Sequence, residues 1–289
     1  LSLIHIFDRA TRLFADKEVV TATPTGRERV SYAEWGERTR RLGGVLDDLG
    51  IREGGRVATF SWNTARHLEL YFAPPCTGRV SHTLNLRLFP EQLNYIVNHS
   101  VAGLIWPLMD GFETVRHVVL MDDGAPAPDH DAVRVEVHDY EDLLGAASAI
   151  DWTRVEENRA GSMMYTSGTT GNPKGVVYSH RSMVLHTFGA MMADTLGINE
   201  RDVILPVVPM FHANAWGLAH AAVATGATLI MPGADLSAPA LADLIESEGV
   251  TVTAGVPTIW MGVLPELDGR DVSALRAIQC GGSAVSRSL

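Results

Sequence analysis

From about residue 55 onward, short apolar runs rich in β-branched residues alternate with longer amphipathic stretches. VATFS (57–61), GLIW (103–106), HVVLM (117–121), GSMMYT (161–166), VVY (176–178), VILPVV (203–208), ATLIM (227–231), VTVTA (250–254) and RAIQC (276–280) read as strands. Helical patterns lie between them: around Ala65 to Ala73, over the strongly apolar 181–196, and over 237–249, with Ser237 as its cap and Gly249 as its stop. Strands separated by helices predict an α/β fold of largely parallel β-sheets flanked by helices, each apolar strand covered on both faces. The Pro-, Asp- and Gly-rich stretch 122–131 reads as an exposed loop, and a subdomain joint is expected near 122–160. There is no internal repeat.

Composition narrows the function more than the fold. With 289 residues, 46% hydrophobic and 20% charged, the chain is of globular type and long enough to bury a core without disulfides. Its 34 acidic and 23 basic residues give a formal charge of −11. No basic cluster offsets this, since Arg38, Arg40 and Arg41 are interleaved with acids and apolar residues, so nucleic acid is not an expected partner. Cys76 and Cys280 form no CxxC pair, which argues against a disulfide framework and a cysteine zinc site and fits a reducing, cytoplasmic setting. LSLIHIF lacks the basic flank of a signal peptide, and no apolar run approaches the ~20 residues of a membrane span. The 11 histidines show no HExxH or paired-ligand spacing and no GxSxG elbow is present, so zinc-enzyme and serine-hydrolase chemistry are disfavoured. The chain starts at Leu1 and stops at Leu289, and both ends read as cut.

The chemistry concentrates in Tyr165 to Gly175, between two expected strands. Gly168, Gly171 and Gly175 permit close backbone approaches; Thr166, Ser167, Thr169 and Thr170 add hydroxyl donors; Lys174 adds a mobile positive charge. Turning N–H groups of this kind suit a polyphosphate. The usual NTPase loop GxxxxGK[ST] does not fit, because Gly175 stands where its hydroxyl residue would be. On composition alone, a flexible turn between strands stays open beside the phosphate reading.

The order of these residues decides more. YTSGTTGNPKGVVYSH (165–180) closely resembles the phosphate-binding signature of the adenylate-forming superfamily, which holds acyl-CoA synthetases, luciferases and peptide-synthetase adenylation domains. The resemblance implies that Thr166, Ser167, Gly168, Thr169, Thr170, Gly171 and Lys174 embrace the β- and γ-phosphates of ATP, with Thr166 near the accompanying Mg2+. LPVVPMFHANAWG (205–217) resembles the segment lining the acyl pocket: His212 would lie beside the carboxylate, Trp216 would border the acyl tunnel, and Asn214 is a further candidate. Taken singly, His212 and Trp216 also read as packed core residues. CGGSAVSRSL (280–289) resembles the floor under acyl and adenine groups, through Gly281, Gly282, Ser283 and Ala284.

TAGVPTIW (253–260) and HTLNLRLFPEQLNYIVNH (82–99) are also similar to the family, and the overall match is to medium- and long-chain fatty-acyl-CoA synthetases. Leu86 and Ser286 stand where the pattern has Pro. Residues 1–289 then correspond to the first part of a large N-terminal AMP-binding domain. The adenine-stacking Tyr-Gly-x-Thr-Glu segment and the small C-terminal domain with its lysine are absent. What is implied is activation of a fatty acid by ATP to an acyl-adenylate, then transfer to coenzyme A, in a parent enzyme that this chain alone would not complete. Lys174 and His212 are the implied catalytic residues. Adenylation of an aryl or amino acid, a non-catalytic nucleotide-binding remnant, and a homodimer stay open. An incomplete domain would leave apolar surface uncovered, so poor solubility is expected.

Overall fold

The computed structural model describes residues 1–85, 114–121, 135–166 and 174–286. Their contacts divide into two compact units. The first is Leu1–His5, Glu34–Ser61 and Arg66–Val184; the second is Ile6–Ala33, Trp62–Ala65 and Leu185–Leu289. The stretch 122–160 falls inside the first unit, and its residues 122–134 lie outside the described set, as does the expected strand at 103–106.

The described strands, in chain order, are β1 (Glu18–Thr23), β2 (Gly26–Ser31), β3 (Arg56–Thr59), β4 (Val80–Thr83), β5 (His117–Leu120), β6 (Glu136–Asp139), β7 (Ala160–Thr166), β8 (Lys174–Ser179), β9 (Val203–Pro206), β10 (Thr228–Met231), β11 (Val252–Gly255) and β12 (Ala277–Cys280). Every strand expected within the described residues forms, at nearly the expected place. The hairpin β1–β2 and strands β4 and β6 were not anticipated. β2 is mostly exposed and charged, so no alternation marks it. β4 is short and buried at every position, which leaves no polar face to give a period of two.

In the second unit six strands run in the order β12-β11-β9-β10-β1-β2, parallel except for the antiparallel hairpin β1–β2. Val20, Leu205 and Ile230 on these strands meet Leu241, Leu244 and Ile245 from helix Ala238–Ser247 and Trp260 and Val263 from helix Pro257–Glu266, all buried. The spacing of 241, 244 and 245 is that of one helix face. Burial of each large side chain in this layer contributes roughly 1.5–3 kcal/mol. Helix Ala238–Ser247 starts after Ser237 as expected, but the Ser237 side chain makes no capping bond; its backbone N–H donates to Asp235 instead. Gly249, at φ +60°, ends it in the left-handed region.

In the first unit β3-β4-β7-β8 form a four-stranded sheet, parallel until the antiparallel pair β7–β8, and β5–β6 form a separate parallel pair. Helix His180–Met191 is shorter than the apolar pattern 181–196 suggested. In the same unit, Arg38 donates to buried Glu69 at 2.6 Å and forks onto both oxygens of Glu141 at 2.9 Å; Arg66 joins Glu141 and the Tyr140 hydroxyl joins Glu69. A buried carboxylate is tolerable only with such partners. Among the described residues no helix is long and apolar enough to cross a membrane.

Candidate functional site

The first unit carries the two ends of the expected phosphate loop. β7 and β8 are antiparallel, and their last rung pairs Thr166 with Lys174. A loop that leaves from one residue of a rung and returns to the other is closed at its base by the ladder itself. The next rung pairs Tyr165 with Gly175. A Cβ on Gly175 would sit 3.2 Å from the Tyr165 ring, so the ring lies over the glycine. A side chain at position 175 would crowd that ring. Lys174 is exposed. On the neighbouring strand His82, whose ring centroid is 5.7 Å from that of Tyr165, is held down to about 4 by burial and by the charge of Arg56, so it adds no charge at neutral pH. Ser167, Gly168, Thr169, Thr170 and Gly171 lie outside the described residues.

The second unit carries the expected acid-binding segment. β9 ends at Pro206, and the backbone N–H groups of Val207 and Val208 both turn onto the Ala254 carbonyl. Asn63, buried and distant in sequence, then clamps the segment. Its amide donates to the carbonyls of Pro206 (2.8 Å) and Val208 (3.0 Å), and its oxygen accepts from the Met210 N–H (2.7 Å). Nothing in SWNTA (61–65) announces that role, because an asparagine in a loop has no periodic signature.

After the clamp the chain winds the wrong way. Ala213, Asn214, Ala215 and Trp216 all have φ between 46° and 53°, followed by Gly217 at 78°. Left-handed conformation costs roughly 1–2 kcal/mol per non-glycine residue, and consecutive occurrences are rare. The turn persists because it is packed: Asn214, Ala215 and Gly217 are buried, and a Cβ at Gly217 would lie 2.4 Å from His186 Nδ1. Strain held by surrounding structure is typical of functional segments. Its effect here is to present His212, which precedes the turn, as an exposed side chain, and Trp216 as a half-buried one. The core-residue reading of His212 is thereby excluded.

Trp216 meets the third expected segment. Its indole lies over the glycine pair that follows β12: a Cβ on Gly281 would be 3.3 Å from the ring and one on Gly282 3.8 Å. Ser283 and Ala284 follow, exposed. The fold thus joins Trp216 to Gly281 and Gly282, more than sixty residues apart in sequence, as a flat aromatic wall on bare backbone.

Residues 7–289 match the family model described as AMP-binding enzyme. The chain belongs to that family. Within the AMP-binding family it is 45% identical to a long-chain-fatty-acid–CoA ligase of Thermus thermophilus, with 100% of this chain aligned to 54% of the relative. It is 41% identical to a 3-methylmercaptopropionyl-CoA ligase of Ruegeria pomeroyi, over 100% of this chain and 56% of the relative. Among solved structures it resembles the N-terminal domain of FACL13 from Mycobacterium tuberculosis, with a TM-score of 0.80 and 26% identity, over 99% of this chain and 71% of that one. The chain therefore spans about half the length of the curated relatives it matches. Its α/β architecture is that of the N-terminal domains of adenylate-forming enzymes.

Proposed function

We propose that this chain supplies the ATP- and acid-binding parts of an enzyme that converts a fatty acid to its coenzyme A thioester through an acyl-adenylate. The observation that carries the reading is the Thr166–Lys174 rung, which closes the base of the phosphate loop and sets its lysine at the end of a strand. The 45% identity to a long-chain-fatty-acid–CoA ligase supports the choice of substrate.

MgATP enters as a substrate, with its β- and γ-phosphates on the N–H and hydroxyl groups of Thr166 to Gly171 and on Lys174. Thr166 would be the residue nearest the accompanying Mg2+, an ion that takes few protein ligands when phosphates share it. A carboxylate oxygen of the fatty acid then attacks the α-phosphorus, and the bond to the bridging oxygen breaks to release pyrophosphate. Lys174 offsets charge on that leaving group, and His212 orients the carboxylate by hydrogen bonding. Trp216, over Gly281 and Gly282, forms an apolar wall for the acyl chain; Asn214, Ser283 and Ala284 complete the acid and adenine surroundings. In the second step the coenzyme A thiolate attacks the acyl carbon and AMP leaves. The protein's contribution is position and charge stabilisation.

The test is acid-dependent pyrophosphate release by the full-length protein that carries this chain, with a panel of acids. Fatty acids should give the highest kcat/KM, and Lys174→Ala should slow adenylation ~10- to 1,000-fold. A preference for 3-methylmercaptopropionate would move the substrate to a short thioether acid, the reading favoured by the 41% relative. MgATP binding with no pyrophosphate release for any acid would replace an enzyme with a nucleotide-binding protein.

A further inference from the structure

The two-stranded sheet of the first unit holds a side-chain cluster that the adenylation chemistry does not use. On β6, Glu136 and His138 are two residues apart and share a face; on β5, His117 stands in register opposite Glu136. Parallel strands lie about 4.8 Å apart, so one position on β5 and two alternate positions on β6 point at a common spot. There His117 Nδ1 is 3.2 Å from Glu136 Oε2, His138 Nε2 is 3.8 Å from the same oxygen, and the two ring nitrogens are 3.4 Å apart.

Those separations match a coordination polyhedron. Zinc bonds nitrogen and carboxylate oxygen at ~2.0–2.2 Å, and a tetrahedron of that size has edges of about 3.3–3.6 Å. All three donor–donor distances agree with this to within a few tenths of an ångström. Two imidazoles and one carboxylate select a borderline divalent ion over Mg2+ or Ca2+, which require mostly oxygen ligands. The histidines are largely covered and Glu136 is mostly exposed, so the fourth position faces solvent. We propose that His117, Glu136 and His138 bind a divalent transition metal of the Zn2+ type, with water as fourth ligand, clipping β5 to β6. The site leaves no local mark in the sequence, because its ligands follow no helical or loop spacing: the third donor comes from the neighbouring strand.

The experiment titrates Zn2+ into metal-stripped, tag-free protein against a chromophoric chelator, with Co2+ as an optical probe of the coordination. One ion per chain is expected, with a Co2+ spectrum of the four-coordinate nitrogen–oxygen kind. His117→Gln and His138→Gln should each weaken Zn2+ binding at least ~100-fold, since even loss of a ligand's supporting partner costs about 10- to 100-fold. His5→Gln, at an exposed and unrelated position, should leave it unchanged. Zn2+ should raise the melting temperature of the parent and not of the histidine variants. Glu136→Ala lies at an exposed position where folding is not at stake, and it should weaken binding as well. Absence of stoichiometric Zn2+ binding, or binding that survives all three substitutions, overturns the proposal.

Discussion

The Trp216 indole lies over Gly281 so closely that an added Cβ would meet the ring at 3.3 Å. One residue belongs to a strained turn and the other to the end of an edge strand, yet each fixes the other's usable side-chain size. Gly281→Val should push the indole off its seat and narrow or tilt the apolar wall. The expected outcome is a 10- to 200-fold fall in kcat/KM for a long fatty acid, roughly the effect of one misplaced methylene in an apolar pocket, with KM for ATP little changed. Steady-state kinetics with a series of acyl lengths would check it; equal losses for all lengths would detach Trp216 from the acyl chain.

The left-handed run from Ala213 to Trp216 predicts a stabilising substitution. Ala213 is only half-buried, so Ala213→Gly removes Cβ strain without opening a core cavity. A gain of about 1 kcal/mol is expected in urea unfolding. Ala213→Val, β-branched at positive φ, should lose stability instead. A loss in the glycine variant would mean that the turn is not left-handed in solution.

Asn63 satisfies three backbone groups between Pro206 and Met210. Asn63→Ala would bury those groups without partners, at about 1–3 kcal/mol for each left unpaired. Denaturant melts should show a loss of several kcal/mol. Hydrogen exchange should show the Met210 amide opening earlier than the amides of β10.

The Arg38 network predicts an acid limb. Hydrogen bonding from Arg38, aided by Arg66, lowers the Glu141 carboxyl to about 2 from its ordinary 4.5. A carboxyl depressed on folding contributes stability that is whole above its unfolded value and is lost as pH falls from about 4.5 to about 2. Because Glu141 is 40% exposed, solvent screening keeps that contribution small. Glu141→Gln should flatten the stability curve across this window and leave its shape near neutral pH alone. Arg38→Met, which strands Glu69 in the core, should cost about 3–5 kcal/mol at neutral pH. An unchanged acid limb in the Glu141 variant would rule out this source.

Periodicity and order were enough to place most of the β-strands, because a buried parallel strand must be a short apolar run and the helices between must carry one apolar face. The motif at 165–180 was legible for the same local reason: its glycines, hydroxyls and lysine are adjacent in sequence, so their chemistry is written in one line. Features that depend on groups meeting across the chain were not legible. The buried strand β4 lacked a period, the Asn63 clamp joined residues more than 140 positions apart, and the left-handed turn contains residues that ordinarily avoid that conformation. Trp216 taken singly read as core and in its motif as site, and no local pattern foretold that its ring lies on Gly281. The sequence by itself determined the class of fold and singled out the loop proposed for phosphate, since both follow from neighbours along the chain. The tertiary structure alone decided which distant side chains share a surface, because packing, not proximity in sequence, overrides local preference and sets those distances.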